Sequence, residues 1–470
     1  MSIDFNLGAA YLQNEQYKEA IDSFLKAVES NPNDSDSWLA LAFSYGADEQ
    51  YEKGIKALLK AKEFNTDNSK IDKIDEILES LYVGQGKFYF ENEQYKEAID
   101  SLLKAIEINP EDSDTWSILG GSYYGDNQHK EAINSFLKVN QLNPDSIDRL
   151  TLYMVGDSYR QIGEYKKAID FLLKSIKINP DNSDSWAILG ISYYKNNQYE
   201  EAQNSFLKAV ELNPNDDYSW ARLGYLYDKK KQYKEAKECY LKAVELNPTD
   251  ANMNSLGDIY GKNGQYKESI DILLKATQLN PYNDINWRLL GLSYNKDKQY
   301  EKSIDALLKA TELNPNSHIN WQLLGSSYGE NSQIDKAIEF LLKANQLNSN
   351  DSENLRLLGV AYYNNGEYEE AINLFLKAIK LNPNHNKIWI VLADSYNIIG
   401  EYEKAIEASS KAIKLNPNND YTWVILVILG DAYYNSGQYR EAKECYLKAT
   451  RLNSNDNYSF NMLDECNKQL

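Results

Sequence analysis

Residues 183–216 read SDSWAILGISYYKNNQYEEAQNSFLKAVELNPND, and the same pattern of residue types returns along the chain. Trp186, Leu189, Gly190 and Tyr193, then Ala202, Phe206 and Ala209, recur at the i, i+3, i+4, i+7 spacing of a buried helix face. Two such stretches closed by Asn213-Pro214 predict a pair of helices ended by a residue that cannot continue the second. The Asn-Pro pair puts Pro110, Pro144, Pro180, Pro214, Pro248, Pro281 and Pro315 at intervals of 33 to 36 residues, so the unit is 34 residues. A fixed period of this length marks stacked repeats and decides the architecture ahead of any local reading.

The thirteen units are 1–34, 35–68, 79–112, 113–146, 149–182, 183–216, 217–249, 250–283, 284–317, 318–351, 352–385, 386–419 and 423–456. Places are counted from each start. All ten prolines fall at place 32, and tyrosine fills place 11 in all thirteen units and place 17 in eleven, His129 and Ile334 being the exceptions. Glycine or alanine at place 8, with small residues at places 20 and 27, lets two antiparallel helices approach closely, because bulk at these crossings would push the axes apart. The two helices are predicted at about places 2 to 14 and 18 to 30. Gly163, Gly264, Gly366, Gly400 and Gly437 at place 15 suit a turn that needs a positive φ.

The pattern Trp-x-x-Leu-Gly-x-x-Tyr, then Tyr-x-x-Ala, Phe/Leu-x-x-Ala and Pro, resembles the tetratricopeptide repeat family over about the whole chain. The resemblance implies an all-α fold, a right-handed α-solenoid (superhelix) of antiparallel helix pairs, here about 27 helices. It also implies a non-catalytic protein-protein interaction scaffold, since the family is a binding framework used for unrelated partners. A single core of 470 residues would be unusual, whereas stacking buries a continuous core without that ceiling. Of the 37 tyrosines, 24 sit at places 11 and 17, so most of the tyrosine is structural. Tryptophan at place 4 in most units is expected to pack on the preceding unit. Asp4 in the first unit, and residues 457–470 with Phe460 and Leu463 followed by a polar end, read as caps.

The period slips in four places. Ten extra residues, Ser69 to Leu78, carry Ile71, Ile74 and Leu78 in helical spacing with Leu81, and predict a helical insertion that makes one helix about three turns longer than its neighbours. Ile147 and Asp148 precede the fifth unit, Asp420 to Thr422 precede the thirteenth, and the eighth is one residue short. Gly46, Gly54 at place 20 and Thr66 in place of proline mark the second unit as degenerate. The superhelix is expected to be distorted near residues 42–80, as a decayed repeat or as a partner site.

Seventy acidic and 50 basic residues give a net charge of −20, whose field repels phosphate backbones and anionic lipid. General nucleic-acid binding is excluded on that ground, and the RNA-binding pentatricopeptide unit differs in period as well. Three cysteines build no disulfide framework; Cys239 and Cys445 share the stretch Lys-Glu-Cys-Tyr-Leu-Lys-Ala, and Cys466 lies near the C-terminus. His129, His318 and His385 fall at three different places and form neither a metal-ligand spacing nor a triad. No catalytic residues, metal site or cofactor are expected. There is no apolar run of the ~20 residues needed to span a bilayer and no targeting signal, so a cytoplasmic protein without membrane insertion is expected.

In the family it resembles, first helices line a concave groove, and places 2, 5, 9, 12 and 13 face it. Eight of the 13 tyrosines outside places 11 and 17 fall on that set: Tyr124, Tyr153, Tyr194, Tyr218, Tyr225, Tyr363, Tyr434 and Tyr458. They suit peptide recognition, or else they pack between adjacent first helices. A basic row runs through Lys195, Lys229, Lys262 and Lys296 at place 13, with Arg160 and Arg288 beside it, and suits an extended acidic segment or else complements helix dipoles. Asp157, Asp258, Asp394 and Asp431 at place 9 make the groove mixed. Asn254, Gln322 and Arg356 stand at place 5, and the residue types at places 5 and 9 do not repeat the pattern by which some family members grip a chaperone carboxylate. The favoured reading is a scaffold holding extended peptide segments. The alternatives are a regulatory or substrate-recruiting subunit of a separate enzyme such as a glycosyltransferase, and a self-associating spacer.

Overall fold

The computed structural model describes residues 2–144, 148–417 and 421–470, which form twenty-seven α-helices and no β-strand. Of the residues at the period slips, Ile147 and Asp420 lie outside the described residues. The chain forms two compact units, residues 1–226 and 227–470.

In the first unit α1 (Ile3–Gln13) packs on α2 (Tyr17–Ser30), α3 (Ser35–Ala47) on α4 (Tyr51–Phe64), and α5 (Ile71–Glu91) on α6 (Tyr95–Ile108). The pairs Ser113–Gly125 with His129–Leu142, Arg149–Gln161 with Tyr165–Ile178, and Ser183–Lys195 with Tyr199–Leu212 follow. In the second unit the same pairing runs from Asp250–Lys262 with Tyr266–Leu279 to Thr422–Asn435 with Tyr439–Leu452, closed by Asn457–Gln469. Within each unit successive first helices touch one another, whereas neighbouring second helices do not come together in this way. That difference places the first helices on the inner side of each stack.

Most first helices occupy places 1 to 13 and second helices places 17 to 30, so each starts one place earlier than expected. Capping sets the start: the side chains of Asp112, Asn182, Asn283, Ser317 and Asp351, at the last place of the preceding repeat, accept first-turn N–H groups. Crossing distance sets the pairing. A Cβ on Gly120 would lie 2.7 Å from the ring of Phe136, and one on Gly190 2.9 Å from that of Phe206, so glycine at place 8 is what admits the aromatic at place 24. Tryptophan at place 4 ties repeats together: the indole N–H of Trp116 donates to the carbonyl of Pro110 at 2.9 Å, and that of Trp186 to Pro180 at 2.7 Å.

The three-residue turn between paired helices takes a positive φ at place 15 in every repeat. Glycine carries it at residues 163, 264, 366, 400 and 437, and Glu15, Glu49, Glu93, Asn127, Asn197, Lys231, Lys298 and Ser332 carry it elsewhere at φ of 57 to 62°. The insertion differs from expectation. Helix α5 has 21 residues against 13 in a regular first helix, about two extra turns and not three. The remainder, Asn68–Lys70, is a 3-10 turn in which the Asp67 carboxylate accepts both the backbone N–H of Ser69 at 2.9 Å and its hydroxyl at 2.7 Å, an alternative to continuing the helix. Among the described residues no helix is long and apolar enough to cross a membrane.

Candidate functional site

The surface of the first helices is where the tyrosines, lysines and aspartates singled out above reside, and the structure joins many of them to one another. The Tyr124 hydroxyl donates to the Asp157 carboxylate at 2.8 Å, and the Arg160 guanidinium reaches the same carboxylate at 2.7 Å. Asp157 is buried, so hydrogen bonds to both neighbours replace the water it has lost. Burial, reinforced by the Asp157 charge, pushes the Tyr124 phenol far above its ordinary range and that of Tyr153 up to about 12. His129 meets the Tyr124 ring edge-on at 6.0 Å, and burial holds its imidazole below the usual value.

This link between place 12 of one repeat and place 9 of the next recurs. Tyr363 donates to Asp394, and Tyr194 meets Tyr225 edge-on at 5.8 Å. Asp431 accepts instead from Tyr446 at 2.6 Å and Tyr458 at 2.9 Å, and burial raises its carboxyl although both hydrogen bonds pull the other way. Tyr434 packs edge-on against Tyr439 at 5.3 Å, and Tyr218 lies under the Arg222 guanidinium, 4.7 Å from the ring centre.

Of the basic residues, Lys195 belongs to the first compact unit, and Lys229, Lys262 and Lys296 to the second; all four are exposed. Lys262 bridges Asp228 and Asp258, 2.8 Å from each. Burial works against its charged form, but the two carboxylates outweigh that and raise its pKa. Arg288 is half-buried. Asn254 is buried, donating to Asn286 at 2.6 Å, which turns it away from solvent. Gln322 donates to Asp351 at 3.1 Å, and Arg356 grips Glu353 through two bonds of 2.9 and 2.6 Å.

A different place on the same surface is open. Between α1, α3 and α5 lies a cavity of about 930 Å³ lined by Phe5, Leu12, Leu39, Ala40, Phe43, Gly46, Ala47, Tyr51, Ile77, Leu81 and Gly84, with Asp36, Lys73, Glu76 and Ser80 among them. Its volume is that of a ligand-sized site and its walls are mostly apolar. Phe43 is 52% exposed there. Two features bound it: Leu39 and Phe43 at places 5 and 9 line the α3 side together with Gly46 and Ala47, and the extra turns of α5 supply a wall with Lys73, Glu76 and Ile77. The slip in period and the glycines were legible; Leu39 and Phe43 at places 5 and 9, which make the site apolar, were missed.

Among the described residues no group of three or more His, Cys, Asp or Glu side chains is placed to hold a metal ion. Cys239, Cys445 and Cys466 are buried, and burial pushes the first two thiols up to about 12 and about 11.

Models described as tetratricopeptide repeat match residues 5–34, 23–56, 287–317 and 423–456, and one described as TPR repeat matches 86–127. A model of the cilia and flagella-associated protein 70 C-terminal domain matches residues 112–290, and one of anaphase-promoting complex, cyclosome, subunit 3 matches 330–412. No curated protein matches the chain. Among solved structures, the "Crystal structure of APC/C hetero-tetramer Cut9-Hcn1" is similar at 14% identity and a TM-score of 0.46, over 98% of this chain and 95% of that one.

Proposed function

We propose that this chain, a member of the tetratricopeptide repeat family, is a non-catalytic scaffold that binds segments of other proteins on the face formed by its first helices. Its principal docking place is the cavity between α1, α3 and α5. The observation that carries this reading is the contrast along that face. Tyr124, Asp157, Asp228, Asp258, Lys262, Tyr363 and Asp394 are joined by hydrogen bonds and ion pairs within the chain, whereas Phe43 and its neighbours present open apolar surface. A concave, mostly apolar basin of this volume with a few polar side chains at its walls is the form that binding sites take. One matching model is that of a subunit of a complex, which supports an interaction role.

The test is a photo-crosslinking residue at position 43 in the full chain, with one at Tyr282, which is 83% exposed, as the control. In extract of the native cells, protein adducts are expected at position 43 and not at 282. No adduct at 43, or equal adducts at both, overturns the reading.

A further inference from the structure

We infer that the cavity between α1, α3 and α5 takes the apolar face of a basic amphipathic helix supplied by a partner protein; this rests on the scaffold reading above and deepens it. The first observation is shape. The cavity is one continuous basin bounded by three first helices, with Leu39, Phe43, Ile77 and Leu81 among its walls. A helix lays side chains at i, i+3, i+4 and i+7 into such a groove as one surface, whereas an extended segment needs separate pockets for alternate side chains.

The second observation is charge. Residues 1–112, which contain the cavity, hold 23 acidic and 11 basic residues, a net of −12; the remaining 358 residues hold 47 and 39, a net of −8. More than half of the excess negative charge therefore lies in the quarter of the chain that contains this apolar basin. Within the lining, Asp36 is paired with Lys70 at 2.6 Å and Glu76 stands one turn from Lys73 on α5, so the walls are near neutral and the field comes from the surroundings. A ligand that matches both is apolar on one face and cationic on the other, and its encounter is steered by the field. A second copy of this chain fits poorly, because its own net charge is −20.

The probe is a synthetic helix with Leu at i, i+3, i+4 and i+7 and Lys elsewhere. Its controls are the same pattern with Glu for Lys, and a Leu/Lys peptide of equal composition in strict alternation. Each is titrated against the full chain by fluorescence anisotropy at low and at physiological salt. The Leu/Lys helix is expected to bind about tenfold or more tighter than either control and to weaken with salt. Phe43→Glu is expected to lose about tenfold or more with helicity unchanged. That variant adds negative charge, so non-specific attraction would strengthen and only a specific site weakens.

Equal binding of the Glu peptide, equal binding of the alternating peptide, binding indifferent to Phe43→Glu, or no binding overturns the inference. So does a Phe43-dependent fluorescent fatty acid with no peptide bound. Crosslinks at position 43 without a preference for the basic helix leave the scaffold reading standing and remove only this inference. Helix binding without any cellular crosslink removes the scaffold reading instead.

Discussion

A Cβ on Gly46 would lie 2.5 Å from Cδ2 of Leu81, a side chain that is itself buried. Leu81 stands at place 3, where other repeats carry Ser37, Thr115, Ser185 or Asn286, and it fills space that the second repeat leaves open. Gly54 belongs to the same fit, since its Cβ would meet the Ala42 carbonyl at 3.1 Å and Leu81 at 3.4 Å. The two glycines that made the second repeat look degenerate are the complement of one large residue. Gly46→Ala is expected to cost about 1–3 kcal/mol by overpacking, and less in a Leu81→Ser background. Hydrogen exchange across α3 to α5 reads both; equal costs in the two backgrounds would contradict the fit.

The turn at place 15 separates backbone strain from packing. Gly163 has φ of 84° and nothing within 4 Å of where a Cβ would sit, so Gly163→Ala should cost about 1–2 kcal/mol through the backbone alone. Glu93, at φ of 59°, bears that strain already, and Glu93→Gly should stabilise its repeat. Urea midpoints of the two variants test the sign; a stabilising Gly163→Ala would contradict it.

Tyr124→Phe removes a hydrogen bond to the buried Asp157 carboxylate and is expected to cost about 2 kcal/mol. Alkaline pH probes the same cluster. The Tyr153 phenol rises from 10.0 to about 12 because burial favours its neutral form. A raised pKa means that the folded state holds its proton more tightly, so this stability is complete below pH 10 and is lost as pH climbs towards about 12. Tyr153→Phe should flatten the decline of the urea midpoint over that interval, and an unchanged decline would remove the assignment.

Thiol chemistry should follow burial. With Cys239 pushed up to about 12 and Cys445 to about 11, little thiolate forms at pH 8, and Cys466 is fully covered. Iodoacetamide is expected to label the folded chain slowly and the urea-unfolded chain quickly. Rapid labelling of the folded chain at Cys239 would contradict its burial.

The helix pairs were legible because each place has a steric reason repeated thirteen times, as with Gly190 against Phe206. The turn conformation was legible only where glycine announced it. Glu15, Lys231 and Ser332 have no preference of their own for a positive φ; the packing of the flanking helices imposes it. The tyrosines were placed on the first helices, but the partner of Tyr124 is 33 residues away in the next repeat and that of Tyr363 is 31 away. Such pairing depends on how place 12 meets place 9 across the stack, which spacing within a repeat does not reveal. The cavity was hidden for another reason: Leu81 and Tyr51 already fill the space beside Gly46 and Gly84, and its far wall is the start of a helix whose overhang depends on where the turn at Asp67 stops.

Hydrogen-exchange mass spectrometry of the full chain, with and without the Leu/Lys helix, tests the central claim most directly. Slowed exchange is expected, confined to α1, α3 and the first three turns of α5, and abolished by Phe43→Glu. Protection spread evenly along the chain, or centred on the helix Asp250–Lys262 with its bridged Lys262, would contradict it.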